Sequence, residues 1–295
     1  MTNNTPSLNR QQSIWLSLFI YLLATITAIT TARLFSGFHP LVMIAAGDLA
    51  ATILVFIFSM ILNNSSAYDP YWSVKPFVIM AAYFFIFHIN SPDLRQWLVA
   101  GGVTLYAIRL TSNFYRDWPG FSHEDWRYVN FRNQFPKSYW TISFLAVHFF
   151  PTVMVYLGCL SIYPVFAVDG NPLNGWDTAG AIILYGSVAL AFTADEQLRQ
   201  FRLIAANKGK IITTGLWKVS RHPNYLGEIS TWWGLFCFAM AAGIQNWWTI
   251  AGPAAITVMF VSASIPMIEK RNLEKRPEYR EYMAKTPVLL PFKFR

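Results

Sequence analysis

The chain has 295 residues, of which 54% are hydrophobic, 17% aromatic and only 13% charged. With a mean hydropathy of +0.33, that balance leaves too little charge to cover a soluble domain of this size and excludes an ordinary soluble globule. The formal net charge of +8 is spread over membrane-flanking segments, which excludes nucleic acid as a partner, and the two cysteines, Cys159 and Cys237, lie inside apolar runs and form neither a disulfide framework nor a CxxC metal site.

A bilayer core about 30 Å thick takes roughly 20 mostly apolar residues per helix. Eight stretches meet or approach that length, at 13–34, 41–62, 76–89, 96–114, 139–166, 176–193, 229–243 and 247–268. The fold is therefore expected to be all-α, a polytopic integral membrane helical bundle of seven to eight transmembrane helices. No repeat, low-complexity tract or Pro/Gly/Ser-rich linker divides it, so 1–295 reads as one domain. The first stretch is too long for a secretory signal and lacks a small-residue cleavage site, so 13–34 is expected as an extra N-terminal span. The third and seventh are short, which points to tilt or to extension through their flanks.

Lys and Arg indicate orientation, because short cytoplasmic loops retain positive charge. Segments 116–137, 195–221 and 269–295 hold four, six and eight of them, 18 of the 23 in the chain, and follow the fourth, sixth and eighth spans. Segment 168–177, after the fifth, carries Asp169 and Asp177 and no cation. Both termini and the three basic segments are expected on the cytoplasmic side. Within the first of them, residues 116–132 mix aromatics with both charge signs. They suit a lid over a ligand and, through Trp118 and Trp126, equally suit an interfacial anchor. His123, Glu124 and Asp125 have no second His or Cys set at ligand spacing, so no metal is expected.

Past the sixth span, "DEQLRQFRLIAANKGKIITTGLWKVSRHPNYLGE" (195–228) reads as that helix running out of the membrane, a turn at 208–210, and a return into the bundle at 224–228. Asp195, Arg199 and Arg202 recur at i, i+4 and i+7 and share one face. That spacing alone suits a solvated ion pair; its place at a membrane edge suits a ligand site. Several cations converging there favour a phosphate-bearing ligand, arginine most of all because its fork matches phosphate oxygens. In "RHPNYLGE" (221–228), Pro223 holds His222 out of the α region and starts the next helix. Asn224 and Glu228 are four apart on one face, and an amide with a carboxylate can hydrogen-bond a ribose or a carboxamide; Glu228 alone also suits a helix N-terminus. His222 taken alone is equally explained by a local hydrogen bond. No GxGxxG occurs, so a Rossmann site is unsupported.

The run "GLWKVSRHPNYLGE", the apolar span after it, a charged "EKRNLEK" and a terminal "YREYMAKTPVLLPF", with "DEQLRQFR" upstream, resemble in that order the steroid 5α-reductase family, in particular its bacterial branch. The resemblance is firm over 191–292 and thinner before it. Its RHP-x-Y-x-G core is shared with sterol reductases and isoprenylcysteine carboxyl methyltransferases, and alone identifies only a superfamily. What the resemblance implies is an NADPH-dependent integral membrane reductase of α,β-unsaturated ketones. The implied substrate is a lipophilic enone such as a 3-oxo-Δ4 steroid, and the implied setting is a monomer among membrane lipids, for the bacterial branch in the inner membrane. Cofactor contacts are implied at Asp195, Arg202, Asn224 and Glu228, with Arg199, Lys210, Arg221, His222 and Tyr225 around them. The chain departs from animal members at Ala191, where they carry Asn, and at Gly209 and Lys210, which replace a Tyr-Arg pair. Arg271 stands where they carry His and is carried over as a further contact.

The family's catalytic pair is a loop Glu and a Tyr within a helix. "YAIRLT" (106–111) resembles the segment bearing the Tyr, which makes Tyr106 its match. "AYDPYW" (67–72) falls in the loop of the Glu, so Asp69 takes that place with a side chain one methylene shorter. In such a mechanism Tyr106, polarised by Asp69, donates to the carbonyl oxygen that gains charge as hydride reaches the β-carbon. Two alternatives stay open: an S-adenosylmethionine-dependent membrane methyltransferase, on the shared core, and a non-catalytic sterol-binding protein.

Overall fold

Every regular element in the computed structural model, which describes residues 8–167 and 171–290, is helical. Asp169, Pro291, Phe292, Lys293, Arg295 and the first seven residues lie outside the described residues. Helix α1 (Arg10–Leu34) begins on a reciprocal cap between Asn9 and Gln12, and α2 (Pro40–Ile61) on a proline in its first turn. A 3₁₀ turn, Ser65–Tyr68, leads into α3 (Tyr71–Ile86), and Asp93 with Gln96 caps α4 (Leu94–Asp117). The short α5 (Trp126–Gln134) precedes α6 (Tyr139–Cys159), whose stretch Ser143–Phe149 is π-helical. Asn174 and Asp177 cap α7 (Gly175–Leu203), which runs on through "DEQLRQFR" as the sequence indicates. Pro223 opens α8 (Pro223–Ala242), followed by α9 (Ile244–Lys275) and α10 (Tyr279–Lys285).

Five of these, α1, α2, α6, α7 and α9, are long and apolar enough to cross a membrane and mark the chain as a membrane protein. The expected count of seven to eight rested also on α3, α4 and α8. Helix α3 has only 16 residues, and α4 carries Arg95, Arg109 and Arg116. In α8 most residues from Gly227 onward are buried against other helices, so its apolar character serves packing as well as any contact with lipid.

Two small residues let α7 and α8 approach at backbone distance. A Cβ on Gly227 would fall 2.7 Å from the Ser187 carbonyl oxygen, and one on Gly234 2.7 Å from the Leu184 nitrogen. This is how helices associate where lipid removes the hydrophobic drive. Between the two contacts the Ser187 and Thr231 hydroxyls meet at 2.8 Å. Three ion pairs tie α4 to α7, two of them inside the bundle. Arg95 forks onto Asp177 at 2.7 and 2.9 Å, and Arg109 donates to Asp195 at 3.0 Å.

One apolar cluster joins α3, α4, α6 and α8 and includes Tyr106, Cys159 and Trp232; a second joins α1 and α2 to Tyr68, Tyr71, Trp118 and Phe121. Arg116 pairs with Glu196 at 2.7 Å, and the Arg271 guanidinium lies 3.9 Å from the Trp126 ring centre, so the three basic segments share one end of the bundle. Trp118 is buried, and Arg10 Nε donates to its carbonyl at 2.9 Å. It therefore packs as core instead of anchoring at an interface.

Gly234→Ala sets a methyl group against the α7 backbone and is expected to cost about 1–3 kcal/mol, read as a lower melting temperature of the detergent-solubilised protein. Gly186→Ala on α7, where an added Cβ meets nothing within 4 Å, is expected to leave that temperature unchanged or raise it.

Candidate functional site

An arginine inside the apolar run of α4 organises the basic end. Arg109 is buried, and its guanidinium donates through Nη1 to Asp195 Oδ2 on α7 at 3.0 Å and through Nη2 to Glu228 Oε1 on α8. Asn224 Nδ2 donates to Asp195 Oδ1 at 3.1 Å, and Asn113 Nδ2 to Asp195 Oδ2 at 3.2 Å. Asn224 and Glu228 thus act on one face, as their spacing indicates, but both are engaged in a protein cluster. Arg109 itself was not singled out from the sequence, although it lies inside "YAIRLT". Its signal was an ionisable residue within an apolar span.

Beyond Asp195 a cavity of about 780 Å³ opens at the basic end, within the usual range for small-molecule sites. Asp195, Arg199 and Arg202 line it together from α7, as their helical spacing places them. Lys208 and Lys210 come from the turn at Gly209, whose φ of +83° suits glycine. Arg221, His222, Asn224 and Tyr225 form a further wall, and Arg276, Tyr279 and Tyr282 the side toward α10. Among the described residues, Arg202, Lys208, Lys210 and Arg276 make no ion pair. Arg199 Nε and Arg109 Nε are buried without a hydrogen-bond partner.

Arg221 has a different task from its neighbours. Its Nε donates to Glu269 Oε1 at 2.7 Å and its Nη1 to the carbonyls of Met283 and Thr286 at 3.0 and 2.6 Å. The same Glu269 oxygen meets His222 Nε2 at 2.9 Å. Backbone N–H groups of Arg221 and His222 donate to the carbonyls of Pro287 and Val288. The octapeptide is thus strapped to the segment after α10, and Arg221 builds the cavity wall from within. Glu269, its anchor, was not foreseen, because its partners lie 47 and 48 residues away.

Glu228, Arg271, Tyr106 and Asp69 do not line the cavity; of residues 116–132, Asp117 lines it and 118–132 do not. Glu228 lies behind the wall on Arg109, and Arg271 stacks on Trp126. Tyr106 is buried one helical turn from Arg109, whose Cζ is 5.8 Å from the ring centre, and packs edge-on against Trp232. Trp72 Nε1 donates to the Tyr106 hydroxyl at 3.2 Å. An indole only donates, so the phenol oxygen accepts and its own proton is directed elsewhere.

Asp69 is not the partner of Tyr106 in this geometry. It accepts from the Tyr128 hydroxyl and faces Arg127 at 3.9 Å, which turns it toward α5. Its carboxyl is pushed up to about 6, chiefly by removal from water and further by Asp125, against the pull of Arg127 and the Tyr128 hydroxyl. The folded protein therefore holds this proton more tightly than the unfolded chain. Stability is expected to decline as pH rises from about 4 to about 6 and to level off above that, and Asp69→Asn to flatten the decline in a melting-temperature series.

The Arg109 cluster makes a sharper prediction. Arg109→Met leaves two buried carboxylates without a cation and is expected to cost about 3–5 kcal/mol. Adding Asp195→Asn and Glu228→Gln to the same chain should restore most of that loss in thermal melts, because no uncompensated charge remains.

The model of a family described as "Protein of unknown function (DUF1295)" matches residues 55–286. An uncharacterised protein of Schizosaccharomyces pombe is 27% identical over 255 residues, covering 78% of this chain and 73% of that protein. No solved structure matches the chain. The matched range includes Tyr106, Arg109 and every residue of the cavity wall, while α1 and residues 40–54 of α2 precede it.

Proposed function

The chain belongs to the DUF1295 family of proteins of unknown function, and we propose that it uses NADPH to reduce the carbon–carbon double bond of a lipophilic α,β-unsaturated ketone, in the manner of the steroid 5α-reductases it resembles. One juxtaposition carries this reading. A cavity with unpaired cations on its wall abuts the Asp195–Arg109 pair, and one helical turn beyond Arg109 stands a buried phenol with a free proton.

The donor set suits a dinucleotide. Arg202, Lys208, Lys210 and Arg276 would hold its phosphates, while Asn224 and Asp195 would meet ribose or carboxamide groups. S-adenosylmethionine has no phosphate and leaves these cations without a purpose. Bound there, the reduced nicotinamide supplies the hydride for the β-carbon. Tyr106 donates to the ketone oxygen, where negative charge develops. Trp72, donating into the phenol oxygen, orients that hydroxyl and strengthens it as a donor, the part the family resemblance implies for Asp69. Arg109 keeps Asp195 and Glu228 neutralised, so that neither repels the developing charge. The surrounding aromatic cluster excludes water from the reacting oxygen.

In this reading α3, α4 and α8 also cross the membrane, for eight spans in all. The basic end and both termini face the cytoplasm of a bacterial inner membrane, and the enone reaches a monomer from the lipid.

Calorimetric titration of the purified chain is expected to give binding of NADPH and none of S-adenosylmethionine, with Arg202→Ala and Arg276→Ala each weakening NADPH by about one to two decades. Tyr106→Phe should preserve that binding and slow enone turnover by about 10²- to 10³-fold. Binding of S-adenosylmethionine instead, or turnover at the parent rate in Tyr106→Phe, would overturn the proposal.

A further inference from the structure

Helices α4 and α7 run side by side toward the basic end, joined near their starts by Arg95 and Asp177 and near their ends by Arg116 and Glu196. Between them lies a groove of about 440 Å³ that the reduction does not use. From Leu105 to Arg116 it follows α4 for about 16 Å, comparable to the hydrocarbon depth of one leaflet, about 15 Å. Its lining changes character along that length. On α4, Arg116, Asn113 and Ser112 give way to Ile108 and Leu105; on α7, Glu196 and Asp195 give way to Phe192, Ala189 and Val188. Leu105, Ile108 and Phe192 are exposed, so the groove opens on the outside of the bundle.

A passage from charge to hydrocarbon, in the same direction on both walls, fits an amphiphile with its polar group at the basic end. The charges decide which one. Anionic lipids are taken by clusters of unpaired Lys and Arg, yet both arginines of this groove pair with its own two acids, Arg109 with Asp195 at 3.0 Å and Arg116 with Glu196 at 2.7 Å. A headgroup without net charge suits such a lining, and one with a net negative charge finds no surplus cation. Deeper in the groove the shortage is of acceptors. Arg109 lines it with a side chain only 6% exposed, and its Nε has no hydrogen-bond partner. An ester carbonyl, which joins a lipid headgroup to its chain, supplies an acceptor.

The groove shares a wall with the cavity. Asp195 and Asn113 line both, and Asp195 accepts from Asn113 and Arg109 on one oxygen and from Asn224, of the cavity wall, on the other. We infer that the α4–α7 groove binds one zwitterionic phospholipid, its ester carbonyl on Arg109 Nε and its chain along Ile108, Phe192 and Val188, and that its presence tightens dinucleotide binding in the cavity. The chain shields the Arg109–Asp195 pair from water, which strengthens the pair and fixes Asp195 toward Asn224. Such coupling is reciprocal, so bound dinucleotide retains the lipid. The lipid site stands on the groove alone, whereas the coupling rests on the NADPH reading above.

The test places the full chain in nanodiscs of equal parts dioleoylphosphatidylethanolamine, a zwitterion, and dioleoylphosphatidylglycerol, an anion, and identifies by native mass spectrometry the lipid it keeps on release into detergent. One phosphatidylethanolamine per chain is expected, favoured over phosphatidylglycerol by about tenfold. NADPH is then titrated into delipidated chain with and without phosphatidylethanolamine, which is expected to tighten binding by about 5- to 150-fold. Ala189→Trp, at an exposed position that does not line the cavity, fills the groove. It should lose the retained lipid and, with it, the response of NADPH affinity to added phosphatidylethanolamine. Equal retention of phosphatidylglycerol, retention of no lipid, undiminished retention in Ala189→Trp, or an NADPH affinity indifferent to the lipid overturns the inference. If Ala189→Trp is not recovered folded, Ile108→Trp fills the groove from the opposite wall. NADPH binding under no condition would contradict the reductase reading, and retention in the unaltered chain against Ala189→Trp would still decide the lipid site.

Discussion

A guanidinium held out of water between two carboxylates determines how α4, α7 and α8 meet. Arg109 has no cheaper arrangement than the one it adopts: withdrawn from either Asp195 or Glu228, it would strand a charge among apolar side chains. The backbone contacts at Gly227 and Gly234 bring Glu228 on α8 to the same depth as Asp195 on α7, so one residue can bridge them. Around this clamp the molecule divides into two environments. On one side lies a cavity with unpaired cations, on the other an aromatic cluster with the Tyr106 hydroxyl. A charged cofactor and a lipophilic substrate would meet at the boundary between them.

Much of this architecture could be read from sequence because it depends on local rules. Hydropathy located the helices, and the caps at Asn9, Asp93 and Asn174 explain where three of them start. Helical periodicity placed Asp195, Arg199 and Arg202 on one face, and that face does line the cavity. Pro223 marked the start of α8 for a reason of backbone geometry.

What escaped the sequence reading depends on contacts between distant segments. Arg109 finds its carboxylates 86 and 119 residues away, and Arg95 finds Asp177 at a separation of 82. Nothing in local pattern distinguishes those partners from other acids. Glu269 and Trp72 were passed over for the same reason. Asp69 was placed opposite Tyr106 by analogy of position, yet a side chain in a loop follows its nearest donors, here Tyr128 and Arg127. Arg221 lines the cavity as its type suggests, and its carbonyl partners, invisible in local pattern, also make it a structural anchor.

The central claim, hydride transfer to the β-carbon of an enone at Tyr106, is tested most directly by isotope transfer. The purified chain is given NADPH deuterated at the transferable position of its nicotinamide, together with a 3-oxo-Δ4 steroid, and the product is analysed by mass spectrometry and NMR. The account predicts a saturated ketone carrying deuterium at the former β-carbon, formed far more slowly by Tyr106→Phe. A saturated product without the label, or no reduction of the double bond while NADPH is bound, would contradict it.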